Sequence, residues 1–278
     1  MDNCHLQGKS IVDFTASYEP NFFKTLFEVE DHHFWFRARN MLIGRLFEQL
    51  SNNFSQGYRV LEIGCGTGNV LRVLEQACSR GTVFGMDYFH EGLCYARKRT
   101  EVLLLQGDMR RPPFQTKFDL IGLFDVLEHL PDDRQVLTDI HSMLSDRGLL
   151  VLTVPAYSSL WSYFDEASGH YRRYEPEDLL LKLTNAGFVA EHFTPFMMSL
   201  FPILVLYRRM AGLIQYKQQA NRSTQELTTN ELRVWPIFND VFYKLLSIET
   251  FFLSRRFKLP IGTSLLVVAS KSGTNKIA

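Results

Sequence analysis

Between Tyr58 and Asn69 the chain reads YRVLEIGCGTGN, an apolar run that breaks into three glycines at alternate positions. An almost continuous apolar strand needs cover on both faces. Glycines directly after it let the backbone turn tightly and approach a ligand closely. Together they point to an open α/β sheet, in which ligands sit beyond the carboxyl ends of the strands. The order of segments agrees. NVLRVLEQAC has helical spacing, TVFGMDY (82–88) reads as a strand and HEGLCYARKR as a helix. VLLLQGD (102–108) and FDLIGLFDV (118–126) are further strands, the latter followed by a helix through about Leu144. GLLVLTVPA (148–156) is a fifth strand and FVAEHFTPF (188–196) a sixth. Strands that alternate with helices predict a doubly wound parallel sheet.

Less regular sequence flanks this part. Glu175-Pro176-Glu177 opens a helix, because proline and acids suit a first turn, and Gly187 closes it. Residues 197–258 read as a helical insertion, with two apolar stretches around the polar QQANRSTQELTTNE, before LPIGTSLLVVASK supplies a last strand. We expect a single domain over 1–278: an N-terminal helical lid (1–50), a core (51–196), the insertion (197–258) and a last strand with its tail (259–278). The run FMMSLFPILVLY is shorter than the ~20 residues that span a bilayer. Stable membrane insertion is therefore not expected, and docking on a membrane surface is disfavoured because the basic residues flanking the insertion are few. A hydrophobic acceptor channel or a contact between two copies is another use for its apolar surface. The formal net charge is zero, which disfavours nucleic acid. Cys4, Cys65, Cys78 and Cys94 form no CxxC pair, and MDNCHLQGKS carries no secretory pattern. Free thiols in a cytoplasmic protein are the expectation.

The glycine loop admits two cofactor classes. A dinucleotide wants GxGxxG and a helix N-terminus aimed at pyrophosphate. Here the spacing is GxGxG, and Glu62 stands two residues before the first glycine, where a carboxylate would repel a pyrophosphate. It suits a cationic, phosphate-free ligand such as S-adenosylmethionine (SAM). Asp87 ends the second strand, where an acid hydrogen-bonds ribose hydroxyls. Asp108, with Met109, follows the third and can meet an adenine. Acids at three successive strand ends, with the loop, predict a nucleoside cofactor.

These motifs resemble those of class I SAM-dependent methyltransferases, in the bacterial group that includes ubiquinone-type and glycan- or natural-product-associated enzymes. The matching residues are VLEIGCGTGN (60–69), GMDY (85–88), QGDMRRPPF (106–114), FDLIGLFDVLEHL (118–130), HHFWFRARN (32–40) and LWSYFDEASGHYRRYEPEDLLLKLTNAGF (160–188). The resemblance implies a Rossmann-like, seven-stranded sheet ordered 3-2-1-4-5-7-6 with strand 7 antiparallel. It implies cofactor contacts at Gly64, Gly66, Gly68, Asp87, Tyr88, Asp108, Met109, Phe124, Asp125 and Val126. From the lid, Trp35 would form a wall, and Arg37 or Arg39 would pair with the SAM carboxylate.

Methyl transfer to a hydroxyl needs a base, and histidine is the usual choice. His129 follows the fourth strand. His170 lies in FDEASGHYRRY (164–174), where Asp165 or Glu166 could orient it. Tyr157, Trp161, Arg172, Arg173 and Tyr174 are candidate acceptor contacts, and the arginines suggest an anionic acceptor. Glu128 and His129 alone do not make a metal site, so no metal is expected. The reading is an enzyme that methylates a hydroxyl, or else an amine, of a small molecule. A SAM-binding protein without activity and an NAD-dependent reductase are the alternatives.

Overall fold

The computed structural model describes residues 20–206 and 236–273. Two helices, α1 (Pro20–Val29) and α2 (Phe34–Ser51), precede the first strand. Then come β1 (Arg59–Ile63), α3 (Asn69–Ala77), β2 (Thr82–Asp87), α4 (His90–Ala96), β3 (Leu103–Gln106) and β4 (Phe118–Phe124). A 3-10 turn, Leu127–His129, leads to α5 (Asp133–Met143) and β5 (Leu144–Pro155). The short α6 (Tyr163–Ala167), α7 (Pro176–Asn185) and β6 (Phe188–Phe196) follow. Last are α8 (Pro236–Leu253) and β7 (Ser264–Lys271).

The strands form one sheet in the order β3-β2-β1-β4-β5-β7-β6, as the resemblance implied. β1 pairs in parallel with β2 and β4, and β7 runs antiparallel between β5 and β6. Side chains alternate between the two faces of each strand. Leu266 and Val268 of β7 enter one core cluster with Ile43 and Phe47 of α2, Leu71 of α3 and Leu246 of α8. Leu265 and Val267 enter the other, with Leu137 of α5 and Leu183 of α7. The strands are therefore apolar throughout because both faces are packed.

Local chemistry sets the helix ends. Asp132 caps α5 by accepting the Gln135 N–H at 3.0 Å, and Pro176 opens α7 as its composition predicts. Ser162 and Asp165 form a reciprocal capping box on α6.

The described part of the insertion does not stand apart. Asn239 of α8 accepts the Phe34 N–H at 2.7 Å and donates to the His32 carbonyl at 2.9 Å, which joins the insertion to the lid. The polar stretch QQANRSTQELTTNE and Cys4 lie outside the described residues. No described helix is long and apolar enough to cross a membrane.

Candidate functional site

A cavity of about 1080 Å³ opens at the carboxyl ends of the strands. The glycine loop, the ends of β2 to β4, the α6 segment, the lid and α8 all reach it.

The loop is shaped for close approach. Gly64 has φ 73°, and a Cβ there would lie 2.4 Å from Val126. Gly66 has φ 50°, and a Cβ there would meet nothing within 4 Å. The first glycine is required by packing and the second borders open space. Gly68 behaves differently: it precedes α3 with φ 76°, packs on Ala96 and does not line the cavity. Its expected cofactor contact is corrected to a structural role.

Asp87 and Glu62 are buried carboxylates at the cavity, and Asp108 is half-buried there. Asp87 accepts the Gly66 N–H at 2.7 Å and the Phe89 N–H at 2.8 Å. Burial pushes its carboxyl up to about 6, against the opposing pull of those backbone donors. Glu62 is held well above the ordinary range by burial, and its Oε2 has no partner among the described residues. Asp108 differs, because its carboxylate accepts from the Arg110 guanidinium at 2.9 and 3.0 Å. An adenine amino group would compete with that arginine. Tyr88, Met109, Phe124 and Val126 line the cavity as expected.

The lid contributes Trp35 and Arg39 and withholds Arg37. The Arg39 guanidinium donates to Asp125 at 2.7 Å, lies 4.7 Å from the Trp35 ring and lines the cavity. Asp125 itself has φ 56°, a left-handed conformation unusual for a residue with a side chain. Arg37 instead stacks on the Tyr243 ring at 3.6 Å and is not part of the cavity wall. Its expected SAM contact is corrected: it faces α8, on another side of the same helix.

The stretch Phe164 to Tyr174 divides into two groups. His170, Arg173, Glu166 and the neighbouring Trp161 line the cavity. Asp165 has no exposed side-chain surface and works from behind. Its Oδ1 lies 3.0 Å from His170 Nδ1 and 2.7 Å from Arg173 Nε. Burial would raise the Asp165 carboxyl, but hydrogen bonds from His170 and Arg173 and the arginine charge bring it to about 2. The His170 ring meets His129 edge-on, with centroids 4.6 Å apart. Burial, with His170 beside it, lowers His129 to about 3 and keeps it neutral.

Three expected acceptor contacts turn away. Tyr174 is fully buried and donates to Asp133 at 3.0 Å. Arg172 pairs with the same Asp133 at 3.0 Å and donates to the Leu130 and Pro131 carbonyls. Tyr157 packs its ring on Phe201, outside the cavity wall. The arginines that suggested an anionic acceptor are thus bound to Asp133 and Asp165.

Sequence reading missed Asp133, which holds Tyr174, Arg172 and Lys182 together. It also missed Glu30 and Arg99, which pin the lid to the glycine loop. Arg99 donates to Glu30 at 2.6 Å and to Thr67 at 2.7 Å, and Thr67 is also bonded to Glu30. The only available signal was an acid among the aromatic residues of PNFFKTLFEVE. Glu128 is a further case. It is buried, its Oε2 has no partner among the described residues, and burial raises its carboxyl. Glu128 and His129 are joined by His170: one donor atom from each of the three lies within 4.8 Å of the others.

Comparison with known proteins agrees with this architecture. A family model described as a methyltransferase domain matches residues 35–192. A probable S-adenosylmethionine-dependent methyltransferase of Mycobacterium tuberculosis is 26% identical over 170 residues, 60% of this chain and 60% of that protein. A ubiquinone biosynthesis O-methyltransferase of Actinobacillus pleuropneumoniae is 33% identical over 107 residues, 34% of this chain and 44% of the relative. The matches therefore span less than two thirds of either relative. The solved phosphoethanolamine N-methyltransferase 2 of Haemonchus contortus, in complex with SAM, shares the fold. Its TM-score is 0.59 at 18% identity, over 94% of this chain and 60% of that one. With the family model covering more than half of its length, the chain belongs to the class I SAM-dependent methyltransferases.

Proposed function

We propose that the protein transfers the methyl group of SAM to a hydroxyl oxygen of a small-molecule acceptor, with His170 as the base. The observation that carries this reading is the Asp165–His170 pair, at 3.0 Å, in the wall of the cavity that also holds the glycine loop.

The residues present fit SAM. The open space beside Gly66 admits a ligand against the backbone, and the unpartnered, buried Glu62 Oε2 lacks a donor that a cationic ligand can supply. Asp87 would accept from ribose hydroxyls, and Arg39, which holds Asp125 through Nη1 but has no partner for Nε among the described residues, would meet the SAM carboxylate. When bound, SAM supplies a methyl carbon activated by its sulfonium. The chain's own task is then to place the acceptor oxygen and remove its proton. Asp165 accepts the Nδ1–H of His170, which fixes the tautomer and leaves Nε2 as the proton acceptor. Arg173 holds Asp165 ionised for that duty. His129 stays neutral and packs on the His170 ring.

Phe34, Trp35, Phe164 and Leu200 line the cavity and favour an acceptor with an apolar portion. With Arg172 and Arg173 engaged inside the protein, an anionic acceptor loses its sequence support. Cys65, Cys78 and Cys94 form no disulfide among the described residues, in keeping with a reducing compartment.

The test is His170→Ala, assayed with labelled SAM across hydroxyl acceptors. We expect kcat to fall about 100-fold or more, with SAM affinity by calorimetry unchanged. An unchanged rate would remove His170 as the base. Failure of the unaltered protein to bind SAM would overturn the reading as a whole.

A further inference from the structure

α8 is apolar on two sides. One side is buried against the rest of the protein through Leu246 and Leu253. The other exposes Phe238, Val241, Leu245, Ile248 and Phe252. Their spacing of three and four residues places them in one line along the helix. At 1.5 Å per residue that line is about 20 Å long.

Both ends of the line are distinctive. At the near end Phe238 stacks on Phe242, which meets Phe34 of the lid, and all three rings line the cavity. Ile203, 48% exposed, lines the same mouth. At the far end the chain turns back through Arg256, which has φ 63°. The Phe257 N–H then reaches the Phe252 carbonyl, and the Phe257 ring packs 5.8 Å from that of Phe252. Arg255 lies 3.5 Å above the Phe251 ring. Arg255, Arg256 and Lys258 are exposed, and none enters an ion pair among the described residues. The acid Glu249 is turned inward, where it accepts the Met198 and Ser199 N–H groups.

We propose that this face of α8, with the basic turn after it, docks on an anionic lipid surface and brings the cavity mouth to the bilayer. An exposed line of aromatic and aliphatic side chains suits the boundary between headgroups and acyl chains. Three cations without acidic partners among the described residues complement an anionic headgroup layer. A second copy of the chain could bury the same apolar line. It would also cover Phe238 and Ile203 at the cavity mouth. The docking stands on this surface alone. Only its purpose, delivery of an acceptor with an apolar portion, rests on the proposed function.

The experiment is sedimentation of the full chain with vesicles of phosphatidylcholine, with and without phosphatidylglycerol, at low and high salt. Light scattering of the protein alone reports its oligomeric state. We expect binding that requires phosphatidylglycerol and weakens with salt. Each cation near such a surface changes partitioning about fivefold, so the double variant Arg255→Glu/Arg256→Glu should bind at least about tenfold more weakly. Ile248→Glu should weaken binding through the apolar line. Neither variant touches the cavity wall, so both should bind SAM as the unaltered protein does, which verifies folding. Absence of vesicle binding would overturn the proposal. So would a stable dimer that Ile248→Glu dissociates while vesicles are ignored.

Discussion

At the scale of single residues, Asp87 makes the sharpest claim about pH. Its carboxyl sits at about 6, and only the ionised form can accept from two ribose hydroxyls. The Asp87 contribution to SAM affinity should therefore fall as pH drops through 6, by up to about tenfold per unit. Calorimetry between pH 5 and 8 reads this, and Asp87→Asn should remove the step near 6 while weakening binding throughout. Tyr174 makes the opposite kind of claim. Tyr174→Phe removes one buried hydrogen bond to Asp133, which keeps its contacts with Lys182 and Arg172. We expect a loss of about 1 kcal/mol in denaturant unfolding, with kcat unchanged; a fall in kcat would return Tyr174 to the acceptor site. The sequence made Glu62 and Asp87 legible because acids recur at successive strand ends beside the glycine loop, but it left Asp165 and Glu166 open as the partner of His170. It did not separate Arg173 from Arg172. The two are adjacent, and only the path of the loop decides that one meets Asp165 and the other Asp133.

At the scale of elements, the lid is held by a charge network as well as by apolar packing. The Arg99 side chain is 3% exposed and donates to Glu30, Asp31, Thr67 and the Phe27 carbonyl. Arg99→Ala strands the Glu30 carboxylate in the interior, at a cost of about 3 kcal/mol. Thermal denaturation should show that loss. Hydrogen exchange should rise in α1, and SAM binding should weaken, because Thr67 belongs to the cofactor loop. Protection of α1 equal to that of the unaltered protein would reject the latch. The strands were legible in number and order, and β6 residue for residue, because apolar runs between glycines read as strands. The start of β5 was not, since it begins at Leu144 where the sequence predicts helix. The lid was legible as a helix carrying aromatic residues. Its latch was not, since Glu30 and Arg99 lie far apart in sequence and nothing local marks them as partners.

For the whole molecule, the sheet depends on a strand that comes from the far end of the chain. β7 pairs with β5 from Leu149 to Pro155 and with β6 from Phe188 to Phe196. Removing residues 259–278 should leave no cooperative unfolding transition by circular dichroism, because two neighbours and both core layers lose their centre. A cooperative transition in that shortened chain would show that the cofactor half folds alone. The family match ends at residue 192, before β7, so a chain cut there would lack the strand that pairs with both β5 and β6. Order of synthesis gives this arrangement a further meaning. β5 is complete at Pro155, but the strand that covers its edge begins only at Ser264. At about 5–20 residues per second a nascent chain shows that open edge for several seconds. Unpaired edges recruit other strands. In the cell, the yield of this protein should therefore depend on how well chaperones shield the growing chain during that interval.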